Sequence, residues 1–398
     1  MSGQIFTSFH PGSHARRSVP ASAWRTATAV ALLFPFLLCV SRGQSQAPPH
    51  YKEVKFTTFL GQHRDEDITA SMNRRGQIAG RLEYIDQKTA RLVDRAFLWR
   101  DGRVTWLSPP PGFLYSTALA QNESGLVVGQ VSGGPATGGK KAACEWVGGR
   151  PRLLPTRHPG DSIAEAVNAR GDMVGSYRVS SSHSQSDHAC LWKHGGGFLD
   201  LGPVSGLPMG RRGTGWFAKN INDHGQVWGY VVGAVTNQSG PTPVFWEKGR
   251  ARPATPQDGR RIFEITNRWG QVLRGSTLVS GGRAIPLLWQ GRAAHGSALN
   301  DSGDVVGGMP AVKLNLPPQV QRSDYDNHAF LYREGRMYDL NGLVVKRAGE
   351  VLTEAIGTDD AGRILVWGRS RLILLFPDQA GLGRMRGPKK GSASGTLP

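Results

Sequence analysis

Seven times, a few dozen residues apart, the chain writes an Asn (once an Asp), two variable residues, a Gly and then an apolar run. The copies are NRRGQIAG (73–80), NESGLVVG (122–129), NARGDMVG (168–175), NDHGQVWG (222–229), NRWGQVLRG (267–275), NDSGDVVG (300–307) and DDAGRILVWG (359–368). A second phrase follows each: AFLWRDG (96–102), ACEWVGG (143–149), ACLWKHG (189–195), PVFWEKG (243–249), PLLWQG (286–291), AFLYREG (329–335) and a degraded LILLFP (372–377). From Gly76 to Gly362 the mean step is about 48 residues. A period of that length signals a repeat architecture, in which each unit buries its apolar face only against its neighbours.

Each unit reads as four short antiparallel strands. Asn tolerates left-handed backbone angles and bonds its own backbone two residues on, while Gly takes positive φ without steric cost, so Asn-x-x-Gly between two apolar segments is a tight hairpin. The first strand precedes the Asn, as in SIAEAVN (162–168), and the second follows the Gly. The aromatic-ending phrase is a third strand, turning at Trp-x-x-Gly into a short fourth such as RVTWL (103–107), GFLDL (197–201) or RMYDL (336–340). Four strands in about 48 residues make one blade of a β-propeller, so the expected fold is an all-β, seven-bladed propeller over residues 51–377. Trp99, Trp146, Trp192, Trp246, Trp289 and Tyr332 hold one slot of the third strand and read as packing between blades. The seventh unit lacks a fourth strand, whereas Tyr51–Leu60 is an orphan strand before the first, so the N-terminal segment is expected to complete the last blade. The fifth unit is the weakest, because only about four residues follow Gly291 before the sixth begins.

The paired phrases resemble the extracellular repeat family named HAF after its tripeptide, which His328-Ala329-Phe330 spells outright and His188-Ala189-Cys190 nearly does. The resemblance spans nearly all of the chain after its leader. It implies an exported bacterial protein of propeller type and brings no catalytic residues with it.

Residues 1–43 read as an export signal: Arg16, Arg17 and Arg25 precede the apolar run Ala29–Val40, and cleavage is expected after Gly43 or Ala47. The run is too short to span a bilayer comfortably, where about 20 residues are needed. Localisation is then secreted or periplasmic. The formal charge of +18 includes four leader arginines, and the basic tail at 378–398, expected to be disordered, adds more. The remaining basic residues are scattered without a stacked aromatic platform, which argues against nucleic acid and leaves an acidic glycan or a protein as partner. Cys144 and Cys190 occupy equivalent slots of neighbouring units, too far apart to bridge, and read as small core residues.

In such a blade the two short hairpins share one face, and the long irregular connections (between strands two and three, and between blades) share the other. Binding residues gather on variable loops held by a rigid scaffold. The candidates on that face are His63, Arg64, Asp65, Arg157, His158, Asp187, His188, Arg211, Arg212, Trp216, Asp324, Tyr325, Asp326 and His328. His188 and His328 sit in equivalent slots, which favours a structural job, a bond to a neighbouring blade's backbone. No spacing among these residues matches a zinc or calcium signature, and no Gly-x-Ser-x-Gly elbow or phosphate loop is present, so neither a metal nor a cofactor is expected. The expected function is a monomeric scaffold binding an extracellular or envelope ligand through the loop-rich face without catalysis. The alternative is a hydrolase or lyase acting on extracellular polysaccharide.

Overall fold

The computed structural model describes residues 49–56, 67–86, 90–133, 138–180, 185–204, 215–233, 240–311, 327–345, 351–369 and 371–378. The leader and the tail beyond 378 lie outside them. The described chain is nearly all β, built of four-stranded antiparallel sheets. Sheet 1 comprises Asp67–Met72, Ile78–Asp86, Arg91–Arg100 and Arg103–Leu107. Sheet 2 comprises Tyr115–Gln121, Val127–Ser132, Lys141–Val147 and Arg150–Leu153. Sheet 3 comprises Ser162–Val167, Met173–Ser180, Gln185–Trp192 and Phe198–Asp200. Sheet 4 comprises Gly215–Ile221, Val227–Val232, Thr242–Glu247 and Arg250–Pro253, and a parallel bridge from Asp187 to Gly215 joins it to sheet 3. Sheet 5 comprises Ile265–Thr266, Val272–Arg274, Thr277–Ser280 and Arg283–Pro286. Sheet 6 comprises His295–Leu299, Val305–Pro310, Asn327–Arg333 and Arg336–Asp339. Sheet 7 comprises Leu352–Thr358, Ile364–Gly368 and Leu372–Pro377, completed by Tyr51–Lys55 in antiparallel register from Tyr51–Pro377 to Lys55–Ile373. The orphan N-terminal strand therefore pairs where its alternation predicted.

The Asn-x-x-Gly turns form as the residue chemistry requires. In the third repeat Asn168 Oδ1 accepts from the backbone N–H of Arg170 and Asp172, and the Gly171 N–H donates to the Asn168 carbonyl. Gly171 has φ +84°, and its six counterparts also have positive φ. Three residues before the Asn, the first strands of sheets 2, 3, 4, 6 and 7 carry a bulge, at Leu119, Glu165, Lys219, Ser297 and Ile356. A bulge kinks its strand and re-aims the extra side chain. The glycine that closes the phrase in several repeats answers to close approach of the first strand's backbone, with a bulge (Gly175) or without one (Gly80). Gly175 lies opposite Ala164 at the bulge, and a Cβ there would stand 1.9 Å from the Ile163 carbonyl oxygen.

The core lies between consecutive sheets. Ala96 and Leu107 of sheet 1 pack with Val131 and Trp146 of sheet 2, and Val128 and Ala143 of sheet 2 with Met173 and Trp192 of sheet 3. Val174 and Leu191 of sheet 3 pack with Trp216 and Val244 of sheet 4. Leu273 and Leu278 of sheet 5 meet Met309 and Phe330 of sheet 6, and Val306 and Leu331 of sheet 6 meet Ile364 and Ile373 of sheet 7. Leu365 and Leu374 of sheet 7 then pack against Ile78, Phe97 and Trp99 of sheet 1, so the last sheet is also the first one's neighbour. Between sheets 4 and 5 the chain inserts a helix, Pro256–Ile262, after which Phe263 meets Trp228 of sheet 4 edge-on.

Trp99, Trp146, Trp192 and Trp246 are all buried in these junctions. The indole N–H of Trp146 donates to the Ser108 carbonyl and that of Trp192 to the Pro155 carbonyl, each just past the last strand of the preceding sheet. Trp289 departs from the series. Sheet 5 takes its third strand from Thr277–Ser280, because only Gly275 and Ser276 separate that strand from the second. The sheet is complete before the PLLW phrase arrives, and Leu288–Trp289 pairs instead with Arg292–Ala293 in a small separate ladder. Cys144 and Cys190 are buried free thiols. Among the described residues no helix is long and apolar enough to cross a membrane.

Candidate functional site

Two regions collect polar chemistry. The first lies where the long connections meet sheets 3 and 4. The Tyr177 hydroxyl donates to Asp200 Oδ2 at 2.7 Å, and His188 Nδ1 lies 3.1 Å from the same oxygen. His188 Nε2 is 3.1 Å from Ser186 Oγ, two residues back on the strand. His158 stacks on Tyr177 with ring centroids 6.4 Å apart, and His188 meets Trp216 edge-on at 5.2 Å. Asp187 and Asp161 both pair with Arg178. Burial pushes the Tyr177 phenol above its ordinary range, and Asp200 adds to the shift. The Asp200 carboxyl itself sits below its usual range: burial opposes this, but the Gly202 N–H, Tyr177 and His188 outweigh it.

Of the sequence candidates, His158, Asp187, His188 and Trp216 are thus brought together, with Arg157 exposed nearby. His63, Arg64, Asp65, Arg211, Arg212, Asp324, Tyr325 and Asp326 lie outside the described residues. His328 stands apart in sheet 6, with Nδ1 2.7 Å from Asp339 Oδ2. The two equivalent histidines therefore share a job, but their partner differs from the one expected. Each bonds a carboxylate at the end of its own sheet's fourth strand, not a neighbouring sheet's backbone, because the third and fourth strands pair directly. The signal was present in the sequence as the Asp of GFLDL and RMYDL.

The second region is a cavity of about 780 Å³ walled by the first strands and the Asn-x-x-Gly hairpins. Met72, Asn122, Val167, Ile221, Ile265, Leu299 and Ile356 supply one wall residue from each of the seven sheets or the hairpin beside it. Two bulge residues, Ser297 and Ile356, are among the lining side chains. None of the described loop-face candidates lines it.

Hydrogen bonds run from hairpin to hairpin around this cavity. The Asn73 amide donates to the Asn122 carbonyl at 3.2 Å, Asn122 to Asn168 at 3.0 Å, and Asn168 to Asn222 at 3.2 Å. Asn222 donates to Arg261 in the inserted helix, Asn267 to Asn300 at 3.0 Å, and Asn300 to Asp359 at 2.9 Å. The Asp360 N–H then returns to the Arg74 carbonyl at 2.9 Å.

A second tier uses the residue after each Asn. Glu123 accepts from the Arg74 N–H, Asp223 from Ala169, Asp301 from Arg268 and Asp360 from Asp301. Burial raises the Asp360 carboxyl above its usual range, with the Asp301 carboxylate adding to it and the bond from the Asp301 N–H opposing. Sequence reasoning passed over these residues as variable, although the series Arg, Glu, Ala, Asp, Arg, Asp, Asp at one slot is mostly charged. Arg74 reaches furthest: its guanidinium contacts Glu123 Oε1 at 3.1 Å, Asp301 Oδ1 at 3.1 Å and the Thr266 carbonyl at 3.3 Å.

Among the described residues no three His, Cys, Asp or Glu side chains are grouped to hold a metal ion. No protein-family model matches the chain, and no curated protein does. One similar solved structure is an acylaminoacyl peptidase from Pyrococcus horikoshii, in its orthorhombic crystal form, at 11% identity and a TM-score of 0.26. The match covers 81% of this chain and spans about half (52%) of the peptidase, and a likeness at that score carries no argument about fold or activity.

Proposed function

We propose that the chain is a seven-bladed β-propeller, exported from a bacterial cell, that serves as a binding scaffold and not as an enzyme. Its ligand site is the cavity on the axis. Three observations support the closed ring: sheet 7 packs on sheet 1, the N-terminal strand completes sheet 7, and the hairpin hydrogen bonds return from Asp360 to Arg74. One observation carries the functional reading: a cavity of about 780 Å³ to which all seven sheets or their hairpins contribute. Small-molecule sites are concave, largely preformed and mostly apolar, with a few polar groups placed for orientation. This cavity is concave and walled by strands, but about as polar as apolar, with Met72, Ile221 and Ile356 beside Arg74, Glu123 and His295. The loop-rich face remains the place for a protein or glycan partner, with Trp216 and the two histidines beside it.

The test is a thermal-shift screen of small molecules on the purified protein and on a Ser297→Trp variant, which places an indole in the cavity. Ligands that raise the melting temperature of the wild type and not of the variant support the reading; equal shifts in both defeat it.

A hydrolytic reading of another kind, acyl transfer and not the cleavage of polysaccharide, has one observation in its favour, the chain Ser186 Oγ, His188 Nε2, His188 Nδ1, Asp200 Oδ2 with both contacts at 3.1 Å. The geometry is that of a nucleophile, a base and an orienting acid. Against it, the His–Asp pair recurs at His328 and Asp339, where the sequence has Asp326 and not a serine two residues before the histidine. Covalent labelling of Ser186 by a fluorophosphonate, abolished in His188→Ala, would carry the hydrolytic reading; an unlabelled protein leaves the scaffold.

A further inference from the structure

We infer that the axial cavity takes a ligand bearing a guanidinium or amidinium group, and that Arg74 is an internal surrogate holding that group's place. The inference rests on the reading of the cavity as the ligand site and names the chemistry it selects.

Arg74 differs from every other residue at its slot. The acids there brace the preceding hairpin, and Arg268 pairs with Asp301 of the next hairpin. The Arg74 side chain begins on the first hairpin and reaches acceptors on the second hairpin (Glu123), at the end of the first strand of sheet 5 (Thr266) and on the sixth hairpin (Asp301). Arg74, Glu123 and Thr266 all line the cavity. The guanidinium therefore lies across the cavity, linking parts of the chain that are not neighbours in the order of sheets.

Its three acceptors, two of them charged and each from a different repeat, form a receptor for one planar cation. Forked N–H donors on carboxylates are the strong and geometrically selective kind of hydrogen bond. In a chain of net charge +18 the same hairpin slot gathers Glu123, Asp223, Asp301 and Asp360 against Arg74 and Arg268. Without Arg74, Glu123 loses its ion pair and Asp301 keeps Arg268, which leaves uncompensated carboxylate charge to attract a cation. Beneath the acceptors, Met72, Ile265, Leu299 and Ile356 offer apolar wall to the ligand's hydrocarbon body. The Arg74 side chain is 25% exposed, and displacing its guanidinium breaks side-chain contacts to Glu123, Thr266 and Asp301 but no strand pairing.

Titration calorimetry with benzamidine, and with benzoate as the isosteric anion, tests this. Arg74→Ala is expected to bind benzamidine at least tenfold more tightly than the wild type, and Arg74→Lys, which retains a resident cation, to bind as weakly as the wild type. Adding Asp301→Asn to Arg74→Ala is expected to reverse the gain, and benzoate is expected to bind none of them. Melting curves confirm that each variant is folded, and Arg74→Met, which keeps the aliphatic stem, replaces Arg74→Ala if the latter is not. Benzamidine binding that is unchanged or weaker without Arg74 overturns the inference. So does benzoate binding as well as benzamidine, although that result leaves the cavity standing as a ligand site. Failure of the Ser297→Trp screen removes the site itself.

Discussion

At the scale of single residues, the hairpin asparagine does two jobs that only an amide can combine. Asn300 is fully buried, accepts from the backbone N–H of Ser302 and Asp304 through Oδ1, and donates through Nδ2 to Asp304 Oδ2 and the Asp359 carbonyl. Asn300→Ala leaves buried backbone groups unpaired and is expected to cost about 2–4 kcal/mol, since each unsatisfied buried group costs roughly 1–3 kcal/mol. Asn300→Asp keeps the acceptor but loses the donor and sets a carboxylate against Asp304, so it should be no milder. Urea unfolding of the two variants measures both. The seventh repeat shows what such an exchange requires: Asp359 takes the Asn slot with Arg363 Nε bonded to its carboxylate at 2.5 Å. Thiol chemistry is also set locally, because burial pushes the Cys144 thiol up to about 12 and Cys190 well above its usual range. Neither should react with a disulfide reagent at pH 8 until denaturant is added, which a colorimetric thiol titration reads directly.

Elements show why some repeats were legible and one was not. Six Asn and Gly pairs and one Asp and Gly pair announced seven hairpins, because an Asn or Asp side chain bonds its own backbone two residues on while Gly takes positive φ. The glycine closing several of the phrases answers to the backbone of the first strand lying close against it. Gly229→Ala would place a Cβ 1.8 Å from the Phe217 carbonyl oxygen. It should destabilise by about 1–3 kcal/mol, the ordinary cost of over-packing, as read from chemical denaturation.

Sheet 5 misled because its strands are two to four residues long, too short for alternation to register, and the expected third-strand phrase fell after the sheet was complete. The histidine partners Asp200 and Asp339 were missed because pairing of strands three and four brings together residues 12 and 11 apart in sequence. The cavity was hidden for a different reason: its lining comes from all seven repeats or their hairpins, with no local signature in any of them.

The helix between sheets 4 and 5 has its own chemical anchor. Asp258 accepts from Arg252 Nη1 and Nη2 at 2.6 and 2.7 Å and from the Thr255 N–H at 2.8 Å. Arg252 first, with the Thr255 bonds, outweighs burial and holds this carboxyl well below the usual range. Its folded-state value lies below the unfolded one, so its stabilisation is present above the ordinary carboxylate range and is lost as pH falls through the folded value. Wild type and Asp258→Asn should differ in melting temperature above about pH 5 and converge in strongly acidic solution, as proton linkage requires.

For the whole molecule, the decisive contact is between the two ends of the described chain. Tyr51–Lys55 runs beside Leu372–Pro377, with Tyr51 fully buried. Deleting Tyr51–Leu60 strips sheet 7 of its fourth strand, whereas deleting Gly381–Pro398 removes no described strand. The first truncation is expected to lower the melting temperature far more than the second, and equal values would count against the closure scheme. That truncation also exposes a strand edge on Leu372–Pro377, a template for pairing with other chains, so light scattering on heating should rise with it.

The strand that opens the described chain has no permanent partner until the strand that ends it has been made. During synthesis, Tyr51–Lys55 must wait while more than 300 residues emerge. Contacts so distant in sequence are the slow ones, since loop closure comes before any reward from pairing. Severing the chain within one of the hairpins while joining the old ends would let the waiting strand dock early.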